Sequence, residues 1–393
     1  MSGTVALSMD EAIRLALVSS PDARKAEAML EQARGMALTS AIRPNPELGV
    51  DVENVGGNGA YRGFDSAETT YSLSQRIEIG GKRAARMRAA EAAGNMTRID
   101  AELAKRDAVF AVKLAYLQTI ATAQRLHDAR KQAAWADKTL ASVKRLYKNG
   151  GESQAQVAKA EALHEQSKLA LAEAEIEATA TRQQLASLLG KPEVSTEQLD
   201  VAMLVALPSL PAEAQPEDPL SLKRAQLDRT RAEANLSQQR RSAIPDPSIG
   251  VGFRNMRDTD SEALVFNVSV PLPVFDRNEG EIVKARAEVA IAEAELAKAE
   301  RETRIRINRL RQNLAKNRNS ADMLQAKVLP ATEKSLADLE RGYGQGRNNM
   351  LEVYDVARSL QETRQQYVNT LLEYHQNLAA LERELPVTKG ETR

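Results

Sequence analysis

Along Glu47 to Val55 the chain alternates, with Leu48, Val50 and Val52 on one face and Gly49, Asp51 and Glu53 on the other. That period of two predicts a strand with one apolar and one polar side. The alternation returns over Thr69 to Ile79, where Tyr71, Leu73, Ile77 and Ile79 oppose Ser72, Ser74, Arg76 and Glu78, with Gln75 as the exception on the apolar side. It returns again over Ile244 to Phe253, with Ile249, Val251 and Phe253 in phase, and over Ala263 to Val274, with Leu264, Phe266, Val268, Val270 and Leu272 on one side. Between these pairs the period becomes helical. Residues from Met9 to about Ala41 form two helices divided at Ser20-Pro21, with Ser20 as cap and Pro21 in the first turn. From Lys82 to about Lys148 there is no proline and a single glycine, so sixty-odd residues predict a helix of roughly 100 Å. "KNGGES" (Lys148 to Ser153) ends it, and a second helix runs to Leu189 before Gly190-Lys191-Pro192.

The sequence then repeats. "RPNPELGVDV" from Arg43 is mirrored by "IPDPSIGVGF" from Ile244, about 200 residues downstream. "GGKRAA" is replaced by "FDRNEG" (Phe275 to Gly280), and "LYKNGGES" by "GYGQGRNN" (Gly342 to Asn349), with an irregularity expected at Pro330. The expected organisation is helices over 1–42, a first hairpin over 43–80, a long helix pair over 81–190 and a linker over 191–219. A helix over 220–243, a second hairpin over 244–275, a second long pair over 276–385 and a tail over 386–393 complete it.

Composition narrows the function. Lys plus Arg and Asp plus Glu are each 54, which argues against nucleic acid as a partner. There are no cysteines and three dispersed histidines, so no thiolate or paired-histidine metal site, disulfide or catalytic cysteine is expected. No cofactor motif is visible and no enzyme is expected. Gly80-Gly81-Lys82 is not a phosphate loop, because the upstream glycine and the Ser or Thr after the lysine are missing. No apolar run is long enough for a membrane helix. The strands, however, have the length and two-faced pattern of membrane β-barrel strands. Leu48, Val50, Val52, Tyr71, Leu73, Ile249, Val251, Phe253, Phe266 and Val268 are the candidate lipid-facing residues, and Tyr61 and Phe64 join the aromatic ones as interfacial candidates. Four strands cannot close a barrel in lipid, so several copies are required, and three give twelve strands.

The ordered set "SMDEAIRLALVSSPDARKAEA", "RPNPELGVDVEN", "SLSQRIEIGGKRAAR", "PLPVFDRNEGEI" and "GYGQGRNNMLEVYDVARSL" resembles the TolC-type outer-membrane efflux channels over nearly the whole chain. The third stretch is most similar to the branch that serves cobalt, zinc, cadmium and nickel exporters. The resemblance implies a mainly α protomer with a small β part, trimerised into a 12-stranded outer-membrane barrel continuous with a periplasmic helical barrel. It implies a periplasmic adaptor and an inner-membrane resistance–nodulation–division pump as partners, and a signal peptide already removed from this chain. By position it assigns the tunnel constriction to Glu352 and Asp355, with Arg347, Asn348 and Tyr343 as closing contacts. The tips that meet the adaptor fall at Lys148, Asn149, Gly150 and Gly151 and at Gly344 and Gly346. Two alternatives stand beside it: the same channel carrying organic compounds, and a coiled-coil scaffold that never enters a membrane.

Overall fold

A computed structural model describes residues 7–194, 199–208 and 219–385. The expected tail over 386–393 and much of the expected linker, residues 195–198 and 209–218, lie outside the described residues. Helices α1 (Met9–Ser19) and α2 (Pro21–Ala41) precede strands β1 (Glu47–Glu53) and β2 (Glu68–Arg76). Helices α3 (Lys82–Lys148) and α4 (Gln154–Leu188) form the first long pair, followed by the short α5 (Ala202–Val205). The second half runs α6 (Leu220–Ser242), β3 (Ser248–Met256), β4 (Ser261–Ser269), α7 (Glu279–Met323), a π-helical turn (Leu324–Val328), α8 (Leu329–Gly344) and α9 (Met350–Glu384). The duplication read from the sequence is therefore the order of the elements.

The chain divides into two bodies. The first gathers the chain up to Ala26, Glu102–Leu220 and the chain from Glu302. Its core packs Ala12 and Ala16 of α1 with Val112, Tyr116, Leu117 and Ile120 of α3, Leu185 of α4 and Val368 and Leu371 of α9. Polar links thread this core. The Tyr116 hydroxyl donates to the Leu7 carbonyl at 2.8 Å and accepts from the Asp200 amide at 3.1 Å, while Thr122 meets Thr181 at 2.8 Å. Pro330 has no amide hydrogen and its ring crowds the preceding turn; the π turn at Leu324–Val328 sits just upstream and absorbs that misfit.

The short α5 is held by α9. The His375 side chain is 4 % exposed and its Nε2 lies 3.0 Å from the Leu204 carbonyl, so it donates there. Burial holds the imidazole below its ordinary value of 6.5. A neutral imidazole is thus favoured in the folded chain, and stability is retained above that value and lost as pH falls below it. Thermal unfolding followed from pH 7 down to pH 5 is expected to show a falling midpoint, with a shallower fall in His375→Gln; equal slopes would contradict it.

The second body holds Glu27–Ala101 and Ser221–Arg301. Its sheet is antiparallel in the order β1-β2-β3-β4. β2 and β4 stop earlier than their alternation suggests. Beyond β2, the Ile77 amide donates to the Pro247 carbonyl and the Ile79 amide to Asp246 Oδ1, at 2.8 and 3.1 Å, so the extended chain is tied to a loop and not to a strand.

Candidate functional site

The sheet register sorts its side chains into two faces. Leu48 opposes Leu73, Leu73 opposes Val251, and Val251 opposes Phe266. Val50, Tyr71, Phe253 and Leu264 make the next row in the same way, and Ile249 faces Val268. Every candidate lipid-facing residue lies on this face and all are exposed, from Phe253 at 39 % to Leu48 at 78 %. A contiguous apolar sheet face turned outward is the reverse of a water-soluble sheet. The opposite face carries Gly49, Ser72, Gly252 and Val265 in one row and Asp51, Thr70, Arg254 and Ala263 in another. Arg254 binds Glu68 at 2.9 Å and lies 3.3 Å from Glu53, so over β1–β3 this face is polar and charge-paired. The outer strands β1 and β4 have no further partner among the described residues.

A polar clamp joins the sheet to its helices. Gly80 and Gly81 have φ of 68° and 73°, and a Cβ on Gly80 would stand 2.5 Å from Ile244 Cδ1, so both the turn and the close approach require glycine. Lys82 faces no phosphate cradle; it pairs with Asp246 at 2.8 Å. Arg83 Nε donates to the Ala41 carbonyl, and Arg86 donates to the Ser40 and Ile42 carbonyls, so two arginines cap the end of α2. Arg86 also grips both oxygens of Glu78, at 2.5 and 3.2 Å. That bond raises the guanidinium pKa above its ordinary value. In the second half Asn278 adopts φ of 58° in place of the glycine pair, and its amide nitrogen donates to the Gln239 carbonyl at 2.8 Å. Arg86→Ala is expected to cost about 2 kcal/mol, because it strips charge-assisted bonds and leaves Glu78 unpaired. A lowered unfolding midpoint in detergent checks this; an unchanged one refutes it.

The tip lies in the first body, where the α3–α4 and α8–α9 turns share one geometry. Gly150 and Gly346 have φ of 75° and 70°. The Gly151 amide donates to the Leu146 carbonyl and the Arg347 amide to the Gly342 carbonyl, both at 2.9 Å. This is one helix-stop motif used twice. Ser153 then caps α4 and Asn349 caps α9. Between the hairpins, the Tyr343 hydroxyl donates to Glu152 Oε1 at 2.7 Å and Gln156 Nε2 donates to Asn349 Oδ1 at 3.4 Å. Beneath them Val143, Ala160, Met350, Val353 and Tyr354 form a small core with Trp135, Leu140 and Val157. Trp135 meets Tyr354 edge-on at 6.4 Å and donates to Glu340 at 2.5 Å. Burial raises the pKa of both tyrosines, and the Glu152 charge adds to it, with Tyr354 pushed up to about 12. Both phenols therefore remain protonated, and Tyr343 stays a donor.

Of the sequence-assigned tip residues, Tyr343 makes a cross-hairpin contact. Asn348 reaches back to the Leu339 carbonyl within its own hairpin, at 3.4 Å. The Arg347 side chain is exposed, as are Glu352 and Asp355, and Arg358 lies 3.9 Å from Asp355. Lys148, Asn149, Gly150, Gly151, Gly344 and Gly346 all lie in the exposed turns or at their edges. Glu152, Trp135 and Tyr354 were not singled out from the sequence. The mirrored turns pointed to the neighbourhood of Glu152, while nothing local marked it as the partner of Tyr343. Among the described residues no group of histidine and carboxylate side chains is arranged to hold a metal ion.

Comparison with known proteins follows the same lines. The family model "Outer membrane efflux protein" matches residues 12–191 and 210–385. The chain is 28 % identical over 385 residues to the cobalt-zinc-cadmium resistance protein CzcC of Cupriavidus metallidurans, covering 96 % of this chain and 89 % of that one. It is 28 % identical over 286 residues to the nickel-cobalt-cadmium resistance protein NccC of Alcaligenes xylosoxydans xylosoxydans, covering 70 % of this chain and 61 % of that one. Its fold is similar to that of the outer membrane protein VceC of Vibrio cholerae, with a TM-score of 0.78 at 18 % identity, over 95 % of this chain and 94 % of that one. The two-faced sheet, the duplicated long helix pairs and the family match agree: this chain belongs to the outer membrane efflux protein family.

Proposed function

We propose that the protein is the exit duct of a tripartite efflux system and carries heavy-metal cations. Three copies close their sheets into a twelve-stranded barrel in the outer membrane. A periplasmic adaptor docks on the helical tips, and an inner-membrane pump of the resistance–nodulation–division type supplies the driving force. The observation that carries this is the four-stranded sheet, apolar and exposed on one face, polar and ion-paired on the other, with both edges open. Such a sheet is tolerable in lipid only when closed by further strands. The similarity to two metal-resistance proteins supports the choice of cargo. The duct needs no metal ligands of its own, because selection can reside in the pump. Deleting the gene and plating on cobalt, zinc, cadmium and nickel tests it: sensitivity to the metals, reversed by the intact chain, is expected, and sensitivity confined to organic toxins would refute the cargo.

The tip is the proposed gate. Opening separates the α8–α9 turn from the α3–α4 turn, so Tyr343–Glu152 and Gln156–Asn349 break in each copy. Glu352 and Asp355, exposed on one face of α9, would be repeated three times around the axis and attract cations at the mouth. Arg358 offsets part of the Asp355 charge. In planar bilayers Glu352→Ala/Asp355→Ala is expected to weaken block by divalent cations; block unchanged from the parent would remove these residues from the constriction.

A further inference from the structure

Two apolar patches in the sheet-bearing body have no cover among the described residues. The first follows β4. Val270, Leu272 and Val274 continue its exposed row past the last paired residue, and Phe275, the next residue and outside that alternation, is 100 % exposed. The second lies at the end of α2, which leads into β1. Leu38, in the last turn of α2, and Ile42, the residue that follows the helix, are 73 % and 59 % exposed. Gly35 precedes Leu38 by three residues on the same face. A glycine inside a helix costs about 1 kcal/mol relative to alanine. A Cβ built on Gly35 would meet nothing within 4 Å, so no contact among the described residues requires the glycine. It leaves a flat notch beside two exposed aliphatic side chains, a seat for a bulky ring from outside.

The two patches lie on opposite edges at the same end of the sheet. β1 and β4 are the outer strands. Glu47, at the start of β1, is linked through Ser74 and Gly250 to Asn267, near the end of β4. From Asn267 to Phe275 an extended chain descends about 26 Å, shortened by the tight turn in which the Val274 amide donates to the Leu272 carbonyl at 2.9 Å. From Glu47 back to Ile42 and then one helical turn to Leu38 is about 23 Å. The levels agree to within a helical turn. In a ring of head-to-tail contacts, the β4 edge of one copy meets the β1 edge of the next, which brings unlike patches together and leaves none exposed.

We infer that Phe275 of each copy seats on the Gly35–Leu38–Ile42 patch of the next copy, forming a latch just outside the barrel seam. The latch rests on the trimeric ring proposed above. It assigns a role to the apolar "PLPVF" segment that neither the sheet nor the gate uses.

The chain has no cysteine, so Phe275→Cys/Leu38→Cys can be oxidised in membranes and resolved on a denaturing gel. Bands of two and three linked chains are expected from the double variant, and single-chain bands from each single variant. Native mass spectrometry of the same samples reports the ring separately. Three chains by mass without linked bands would overturn the latch and leave the ring standing; one chain by mass in the parent protein would overturn both. A second variant needs no thiol chemistry. Trp135 is the only tryptophan, so Phe275→Trp in a Trp135→Phe background gives one reporter. Emission unaffected by brominated phosphatidylcholine is expected, and strong quenching would assign Phe275 to lipid and overturn the latch.

Discussion

Tyr343→Phe combined with Glu152→Gln raises the fraction of time the pore spends open in planar bilayers. The Tyr343–Glu152 bond is charge-assisted, and such bonds contribute about 1.5–3 kcal/mol. Losing one therefore shifts a closed–open balance by about tenfold or more, and a trimer carries three. The substitutions are nearly isosteric, so the aromatic core of Trp135 and Tyr354 beneath the bond is retained. Tyr343→Phe alone is expected to give most of the effect, since it removes the donor, whereas Glu152→Gln keeps an acceptor oxygen and removes only the charge. The double variant should exceed Tyr343→Phe only slightly, and additive effects would mean that the two residues act independently. Open probability equal to that of the parent would remove this contact from the gate.

Val251→Arg prevents accumulation of folded protein in the outer membrane. Val251 opposes Leu73 on one side and Phe266 on the other, at the centre of the apolar face. An arginine at the midplane of a membrane barrel costs about 2–4 kcal/mol, and three copies carry it at once. Gly252→Ser would be milder, because it lies on the polar face; its Cβ, however, would approach the Tyr71 carbonyl at 3.0 Å. Heat-modified mobility on gels of membrane fractions distinguishes folded from unfolded barrel. Val251→Arg protein that folds and inserts like the parent would contradict a lipid-facing role for this surface.

Much of this architecture was legible in the sequence. Lys82 to Lys148 was readable as one helix, since no proline interrupts it. Leu48, Tyr71, Val251 and Phe266 were readable as one face, because a sheet that meets lipid keeps strict alternation. The strand ends were not readable. Ile77, Ile79 and Val270 to Val274 stay in phase beyond the ladder, and what ends β2 is the capture of its amides by Pro247 and Asp246, residues from the other half of the chain. Pro330 signalled an irregularity, but the π turn that accommodates it lies upstream, over Leu324–Val328. At the tip, Tyr343 carried a readable signal and Glu152 did not, because they are 191 residues apart and a cross-hairpin hydrogen bond leaves no period in either segment. The clamp was half legible. Gly80-Gly81 announced a turn, while its second-half counterpart relies on the left-handed Asn278, which no glycine marks.

Three copies of this chain are proposed to make one membrane duct. Native mass spectrometry of the protein released from membranes in mild detergent tests it most directly. With a chain of 43.0 kDa, a particle of three chains is expected, intact until the detergent shell is stripped. A folded particle of one or two chains would leave the edges of β1 and β4 unpaired in lipid and would contradict it.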